Sequence, residues 1–503
     1  MLLGKTAVNK TGKKLVGFLT DTANFRFLFV GALLFASLNV IRYYFYVAAG
    51  ILMIWAAFLF GYNMIYRRRI LRVRNRRIIL MFLGFAVLTC FLRMSTNFFA
   101  NIYYVIWMGI CYFLFYGIHA DKSKRPCARE VCRIFDLVNI VTTVMMIIGL
   151  VLLFMYPKGF KYGGDVFAIF ENRFVGIIFN ANVTGFYALM GVICCHLLWI
   201  IKRSSGRLTK KSGAFYIICS IINLLAMFLS DSNATLLMLI LYLCFICFYA
   251  IFRGYKKGFF SILFRLIALV LACIVIFAFM LGLRTLIQSG TSFVLSSISP
   301  HTTISTGVKT VPDGNVIIRP DTKSRTTFEH QNTNIDSGRF KIWKQSAELF
   351  HLFPVLGVGK ANMVDYGKEY IGGLRYEDLH NGLFTIAVSY GGTGMLLFMI
   401  LALTVAKSML KTIFRYRSEN RRDGRALMYI TAFCSAYCVY SMVEVALLVD
   451  ISYRVVIFWL IIGLAESYIR SYEHKALINS ENIPERSRSI HRVAAYLYHS
   501  QKN

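Results

Sequence analysis

The sequence predicts an all-α polytopic membrane protein with about 12 transmembrane helices and one large extracytoplasmic loop that contains short helices. The 503 residues are 57% hydrophobic and only 16% charged, whereas a soluble chain of this size carries about 25% charged residues. Apolar runs of roughly 20 residues recur along the chain, and each can cross a hydrocarbon core of roughly 30 Å as a helix. The basic residues cluster between these runs, as they do in multi-pass membrane proteins.

The apolar runs predict 12 spans. We expect them at residues 27–41, 43–66, 78–93, 98–118, 134–156, 181–201, 213–230, 234–252, 262–283, 381–406, 427–448 and 450–469. The basic N-terminus before the first run could also begin a signal peptide. We favour an uncleaved first helix, because its loss would reverse the side of every later loop and break the charge pattern.

The basic clusters follow the even-numbered spans, at residues 67–77, 122–133, 202–211, 253–257 and 407–425. With 12 spans both termini lie in the cytoplasm, and so do all of these clusters. The net charge of +32 therefore reflects membrane orientation. Nucleic acid is not predicted as a partner, because the clusters carry no aromatic RNA-binding signature.

The cysteine pattern predicts neither disulfides nor a metal site. None of the 12 cysteines lies in the long polar stretch between the ninth and tenth spans. Cys127 and Cys132 share a basic loop, but no second pair completes a zinc set. The cluster Cys194-Cys195-His196 is interpreted as helix packing rather than metal ligation.

These spans divide the chain into four parts. We expect an N-terminal transmembrane bundle at 1–283, an extracytoplasmic loop at 284–380, C-terminal transmembrane helices at 381–470 and a cytoplasmic tail at 471–503. The predicted loop is the longest polar stretch of the chain, and it is where a site at the outer face would lie.

The polar loop has two halves of different composition. Residues 290–335 are rich in Ser and Thr and contain three prolines, which predicts extended or mobile chain. From Asp336 onward apolar residues recur at helical spacing, and Asp336 or Ser337 is expected to cap a helix that ends at Pro354. A glycine turn and a second short helix at 361–370 are expected to follow.

Three groups of polar residues stand out on the predicted outer side. Arg173 lies in Glu171-Asn172-Arg173-Phe174-Val175-Gly176, shortly before Asn180-Ala181-Asn182. Arg339 lies in the first turn of the predicted loop helix. His380-Asn381 opens the tenth span and is followed, after nine residues, by Gly391-Gly392-Thr393-Gly394.

This arrangement resembles the O-antigen ligase/polymerase family of bacterial surface-polysaccharide enzymes. The resemblance rests on Ser337-Gly338-Arg339 with Trp343, on Pro354-Val355-Leu356-Gly357-Val358-Gly359, and on the family pattern His-[Asn/Ser/Gln]-x9-Gly-x-x-Gly at residues 380–394. It is sharp over 337–394 and looser over 173–235. In one departure, Asp231-Ser232-Asn233 stands where family members often carry a Ser-Arg pair, which puts an anion-binding role of that position in doubt.

The resemblance implies a metal-independent membrane glycosyltransferase of the bacterial cytoplasmic membrane, with no cofactor. It would polymerise undecaprenyl-pyrophosphate-linked repeat units into a capsular or O-antigen-like polysaccharide at the outer face. Its partners would be the lipid-linked glycan, the lipid bilayer and other polysaccharide assembly proteins. The residues it implicates are His380 and Arg339 as catalytic, Arg173, Asn381, Asp378 and Glu377 as substrate-binding, and Gly391, Gly394 and Trp343 as structural.

The implied chemistry suits these residue types. A pyrophosphate leaving group gains negative charge as the glycosidic bond breaks, and the guanidinium forks of Arg173 and Arg339 can hold it bidentately. His380 can take or orient the proton of the attacking hydroxyl. Gly391 and Gly394 would let another helix or a lipid chain approach closely.

Structural alternatives stand beside these assignments. A histidine at a helix start is commonly a capping residue, and arginines near span ends often lie among lipid headgroups. Asp378 and Glu377 either orient His380, bind acceptor hydroxyls or are simply exposed acids. Trp343 is expected to pack inside the loop rather than to stack on sugar. The charged residues Glu444, Asp450 and Arg454 are interpreted as a structural ion pair.

Two other functions remain open. A ligase that moves finished glycan to a terminal acceptor uses the same chemistry as a polymerase. A lipid-linked glycan transporter is less favoured, because it calls for a charged cavity within the spans and often for internal repeats, which are not evident.

Overall fold

The computed structural model describes residues 14–66, 70–94, 97–120, 127–252, 259–298, 338–374, 378–415 and 421–481. Its helices are α1 (Thr22–Phe35), α2 (Phe45–Ile65), α3 (Arg76–Leu92), α4 (Phe98–Ile110), α5 (Ala128–Met155), α6 (Ala181–Ser204), α7 (Lys210–Leu229), α8 (Asn233–Phe252), α9 (Phe259–Ile298), α10 (Arg339–Leu352), α11 (Met363–Ile371), α12 (Gly382–Arg415), α13 (Arg421–Tyr440) and α14 (Tyr453–Glu481). A π-helical turn (Cys111–Phe115) and a 3-10 turn (Tyr116–Ala120) extend α4.

The all-α polytopic class is confirmed. Among the described residues, nine helices are long and apolar enough to cross a membrane. Helices α1, α3 and α13 lie at the other three predicted span positions. The two short helices expected in the outer loop are present as α10 and α11, separated by a turn in which Gly357 and Gly359 have positive φ.

Several predicted span boundaries are wrong, and those of three helices bear on the site. The first span begins earlier and ends at Phe35, where a turn leads to the next helix. Helix α9 continues to Ile298, so residues 290–298 are helical rather than extended. This extension is stabilised by Gln288, whose amide donates to Asp231 Oδ1 at 2.9 Å. Helix α13 ends at Tyr440 instead of 448, and the segment 441–452 turns into the site described below.

A small sheet was not predicted. The outer segment between α5 and α6 folds into three antiparallel strands in the order β1 (Phe160–Tyr162), β2 (Asp165–Phe170) and β3 (Arg173–Gly176). The end of β3 lies tightly against α5, since a Cβ at Gly149 would come within 2.9 Å of the Gly176 Cα. This contact fixes β3, and with it Arg173, on the transmembrane bundle.

The loop before α12 inserts into a break in that helix. Gly391 has φ 65° and ψ −174°, which interrupts the helix. The N–H groups of Val358 and Gly359 donate to carbonyls on one side of the break at 3.0 and 2.8 Å, and Gly392 N–H donates to Pro354 O at 2.6 Å. The close approach expected at Gly391 is therefore made by the backbone of the loop. A Cβ at Gly394 would meet the Cβ of Tyr390 at 2.4 Å.

Gly391→Ala is expected to destabilise the protein by at least about 2 kcal/mol, because the left-handed conformation is strained for alanine and the packing has no spare room. The added Cβ would lie 2.1 Å from Val355 O. Thermal unfolding of the purified protein in detergent measures the effect. Gly84→Ala in α3, where nothing lies within 4 Å of the added carbon, is the matched control. Equal melting temperatures for the two variants would contradict the prediction.

Candidate active site

Charged and polar side chains from distant parts of the chain meet around Glu444. Its side chain is 5% exposed, and its Oε1 lies 3.0 Å from Arg339 Nη2. Its Oε2 lies 3.5 Å from Arg454 Nη1 and 3.7 Å from His380 Nδ1. Asn182 in the first turn of α6 donates to Oε1 at 3.4 Å. One buried carboxylate therefore gathers the ends of α6, α10, α12 and α14.

The start of α12 brings Glu444 to the histidine. Asn381 caps the helix, since its Oδ1 accepts from Leu383 N and Phe384 N at 3.0 Å each. Its Nδ2 donates to Met442 O at 2.9 Å, which holds the segment 441–452 against the helix. Asn381 was expected to bind substrate, but both ends of its amide have backbone partners. These bonds position the start of α12, and the predicted contact of Asn381 with substrate stays a prediction.

His380 lies between two carboxylates. Its backbone is left-handed (φ 48°), and its N–H donates to Asp378 Oδ1 at 2.7 Å. Glu444 is the main cause that raises the pKa of His380, and Asp378 adds to it, although burial opposes both. Nδ1 faces the two carboxylates at 3.7 and 3.9 Å, so Nε2 on the far side of the ring is the nitrogen available to a substrate.

The two carboxyl groups differ in their electrostatics. Burial raises the pKa of Asp378, against the opposing effect of His380. Burial also raises the pKa of Glu444, but His380, Arg454 and Arg339 outweigh it and leave the pKa below its ordinary value. Glu444 is therefore the more readily ionised of the two carboxyl groups. Glu377, the other acid that was expected to act here, lies outside the described residues.

Arg339 is the first residue of α10. The residue that precedes the helix is Gly338 (φ 77°), which has no side chain to cap it. The cap was predicted at Asp336 or Ser337, and both lie outside the described residues. Trp343, one turn later, donates from Nε1 to Leu379 O at 3.1 Å. This bond joins α10 to the residue before His380, so Trp343 packs within the loop, as the sequence favours.

Arg173 differs from the other arginines of the cluster in its partners. Its Nε donates to Ser230 O at 3.1 Å, and its Nη2 donates to Asn182 Oδ1 at 2.5 Å. Burial lowers the pKa of Arg173, but a guanidinium remains charged at any physiological pH. Among the described hydrogen bonds of the cluster, those of Arg173 go to neutral groups, which leaves its charge available to an anion.

A further arginine lies beside Asn233. Arg284 Nη1 donates to Asn233 Oδ1 at 2.8 Å, and the same guanidinium forms an ion pair with Asp231. The sequence placed Arg284 at the start of the loop and so gave it no role. Gln288 follows Arg284 by one helical turn and donates to the same carboxylate, that of Asp231. This spacing in the sequence could have indicated that α9 continues.

Two more residues of the cluster were not predicted as functional. Glu444 and Arg454 were interpreted as a structural ion pair, although charges at the end of an apolar run are a recognised sign of function. Arg454 is also 3.0 Å from Asp450 Oδ2. The expected pair is present, but it extends to Arg339 and approaches His380 and so belongs to the site.

The cluster also offers ligands to a cation. One ligand atom each from Asp378, His380 and Glu444 lies within 4.8 Å of the others. Two guanidinium groups already face Glu444 at 3.0 and 3.5 Å, and they would repel a metal ion. The surroundings fit an anion better than a cation.

A comparison with known families matches one segment of the chain. A family model described as O-antigen ligase matches residues 218–399. No curated protein matches the chain. The matched segment contains Asn233, Arg284, Arg339 and His380, whereas Arg173 and Glu444 lie outside it. The match supports assignment of this chain to the O-antigen ligase/polymerase family.

Proposed function

We propose that the protein transfers a glycan from undecaprenyl pyrophosphate to a hydroxyl of an acceptor glycan and thereby extends a surface polysaccharide. The reaction would take place at the outer face of the bacterial cytoplasmic membrane, with both termini in the cytoplasm. The observation that carries the proposal is the meeting of arginines and one histidine around Glu444 at the ends of membrane helices. The diphosphate of a membrane lipid lies at the same level, where the hydrocarbon core meets the headgroups.

The arginines would stabilise the leaving pyrophosphate. As the bond between the anomeric carbon and the phosphate oxygen breaks, negative charge grows on the diphosphate. Arg173 would supply the first contact, because its hydrogen-bond partners are neutral. Arg339 is held by Glu444 at 3.0 Å, which fixes the guanidinium before substrate arrives and limits reorganisation in the transition state.

His380 would accept the proton of the acceptor hydroxyl. The hydroxyl oxygen forms the new bond to the anomeric carbon, the diphosphate leaves with the electron pair of the old bond, and the proton moves to Nε2. Glu444 and Asp378 then stabilise the resulting imidazolium from the Nδ1 side. No step requires a metal ion.

A polymerase is the first candidate and a ligase the second. The matching family model is described as O-antigen ligase, and the match is equally compatible with either activity. Purified protein is given lipid-linked repeat units alone and, separately, with a lipid acceptor. A ladder of products from repeat units alone supports polymerase, and a single transfer that requires the acceptor supports ligase. No new glycosidic bond in either reaction would contradict both.

Arg339→Ala is expected to lower kcat/KM for glycan transfer by about 10²- to 10³-fold, the range seen when one transition-state donor is removed. Arg339→Lys is expected to recover only part of this loss, because an ammonium cannot form the bidentate contact. Lys341→Ala, which removes an exposed charge from the same helix, is the control. If Arg339→Ala and Lys341→Ala have the same rate, Arg339 has no role in transfer.

Arg284 is expected to act as the cation that Asn233 does not provide. Arg284→Asn should reduce kcat/KM by about ten-fold or more, since a charge-assisted hydrogen bond contributes about 1.5–3 kcal/mol. The exchange variant Arg284→Asn with Asn233→Arg should regain much of the activity, because the two side chains are 2.8 Å apart. An exchange variant no more active than Arg284→Asn would contradict this role.

A further inference from the structure

A cavity lies at the other end of the bundle from the candidate active site. It has a volume of about 380 Å³ and lies between α6 and α13, where His196, Trp199, Arg203, Arg425 and Tyr429 line it. Arg203 is 21 residues along α6 from Asn182, a distance of about 30 Å at 1.5 Å per residue. The cavity is therefore separated from the candidate active site by about the thickness of the hydrocarbon core.

His196 lines this cavity with its imidazole. Its Nδ1 lies 2.8 Å from the hydroxyl of Tyr242, and among the described residues its Nε2 makes no hydrogen bond. With the phenol as donor to Nδ1, the neutral ring carries its proton on Nε2 and can donate it to a ligand. The edge-on contact with Tyr429, with ring centroids 4.7 Å apart, fixes the orientation of the ring.

The mouth of the cavity is cationic. Arg203 at the end of α6 and Arg425 at the start of α13 both line it and are exposed. None of the described residues that line the cavity is acidic. The nearest acid on the neighbouring face of α5, Asp136, is held by Lys202 at 2.9 Å and by Tyr216 at 3.0 Å. An imidazole and two guanidinium groups thus converge on the cavity, and the lining residues that the structure describes beside them are neutral.

We propose that this cavity binds the phosphate headgroup of an anionic phospholipid in the cytoplasmic leaflet. Basic pockets between transmembrane helices on the cytoplasmic side are typical sites for such headgroups. Trp199 and Tyr429 are partly exposed, as expected of aromatic residues at the headgroup level. The guanidinium forks would bind the phosphate oxygens, and His196 Nε2–H would donate to the phosphate or to the glycerol.

Native mass spectrometry of the full-length protein, with phosphatidylglycerol or phosphatidylcholine added, tests the proposal. We expect the protein to retain phosphatidylglycerol in preference to phosphatidylcholine. Arg203→Gln with Arg425→Gln is expected to reduce retention about ten-fold or more, and His196→Phe several-fold. The control, Lys210→Gln with Lys211→Gln, removes two exposed charges from the same end of the bundle, outside the cavity lining, and should keep wild-type retention.

Three outcomes would overturn the proposal. Equal retention of the two lipids would show that charge is not recognised. Equal losses in the cavity variant and the lysine control would show a diffuse basic surface rather than a site. Binding of inorganic phosphate that phosphatidylglycerol cannot displace would assign the cavity to a soluble anion. The inference does not depend on glycan transfer, so each proposal can fail without the other.

Discussion

His380→Ala is expected to lower the rate of glycan transfer by about 10²- to 10⁴-fold, the usual contribution of a general base. The variant should fold normally, because the imidazole is 35% exposed and its nearest carboxylate oxygen is 3.7 Å away. Purified protein with lipid-linked repeat units gives kcat. His351→Ala, an exposed histidine of α10, is the control. A rate for His380→Ala close to that of His351→Ala would remove the histidine from the mechanism.

The pH dependence gives a second readout of the same residue. Since Glu444 and Asp378 raise the pKa of His380 above its ordinary value of 6.5 and the base must be neutral, activity should rise with pH through that higher pKa. Asp378→Asn removes one cause of the increase. The acid limb of kcat/KM against pH is therefore expected to move to lower pH in this variant. If the acid limb lies at the same pH in Asp378→Asn as in the wild type, a group other than His380 controls it.

Glu444→Ala is expected to reduce the free energy of unfolding by about 3–5 kcal/mol, the range for removal of one partner of a buried ion pair. The carboxylate is 5% exposed and lies between Arg339 and Arg454, so its loss leaves Arg339 without its carboxylate partner and Arg454 with Asp450 alone. Thermal unfolding in detergent measures the effect. Glu348→Ala, an exposed acid of α10, is the control and should change little.

Glu444→Gln keeps the prediction testable if the alanine variant does not fold. The amide retains a hydrogen-bond acceptor for Arg339 but not the charge that raises the pKa of His380. This variant is expected to be folded and impaired in transfer, with its acid limb moved to lower pH. A glutamine variant with wild-type rate and wild-type pH profile would show that Glu444 serves stability alone.

The sequence predicts the membrane class and the loop helices, because apolar runs and helical spacing are local patterns. It also names five side chains that the structure brings together, which are Arg173, Arg339, Asp378, His380 and Asn381. It does not predict Glu444. The segment that contains Glu444 is held by Asn381, whose Nδ2 donates to Met442 O at 2.9 Å. The two residues are 61 positions apart in the chain. The role of Arg284 likewise depends on Asp231 and Asn233 in another helix. Such contacts between distant residues leave no periodic signal.

The break at Gly391 also bears on how the protein is assembled in the cell. When α12 first enters the bilayer, the two carbonyls and the N–H at the break have no partners within the helix, and each such group in hydrocarbon costs several kcal/mol. Their partners arrive only when residues 354–359 dock from the outer side. The hydrogen bonding of α12 is thus completed by a segment that precedes it in the chain, so α12 reaches its final form only after residues 354–359 have docked.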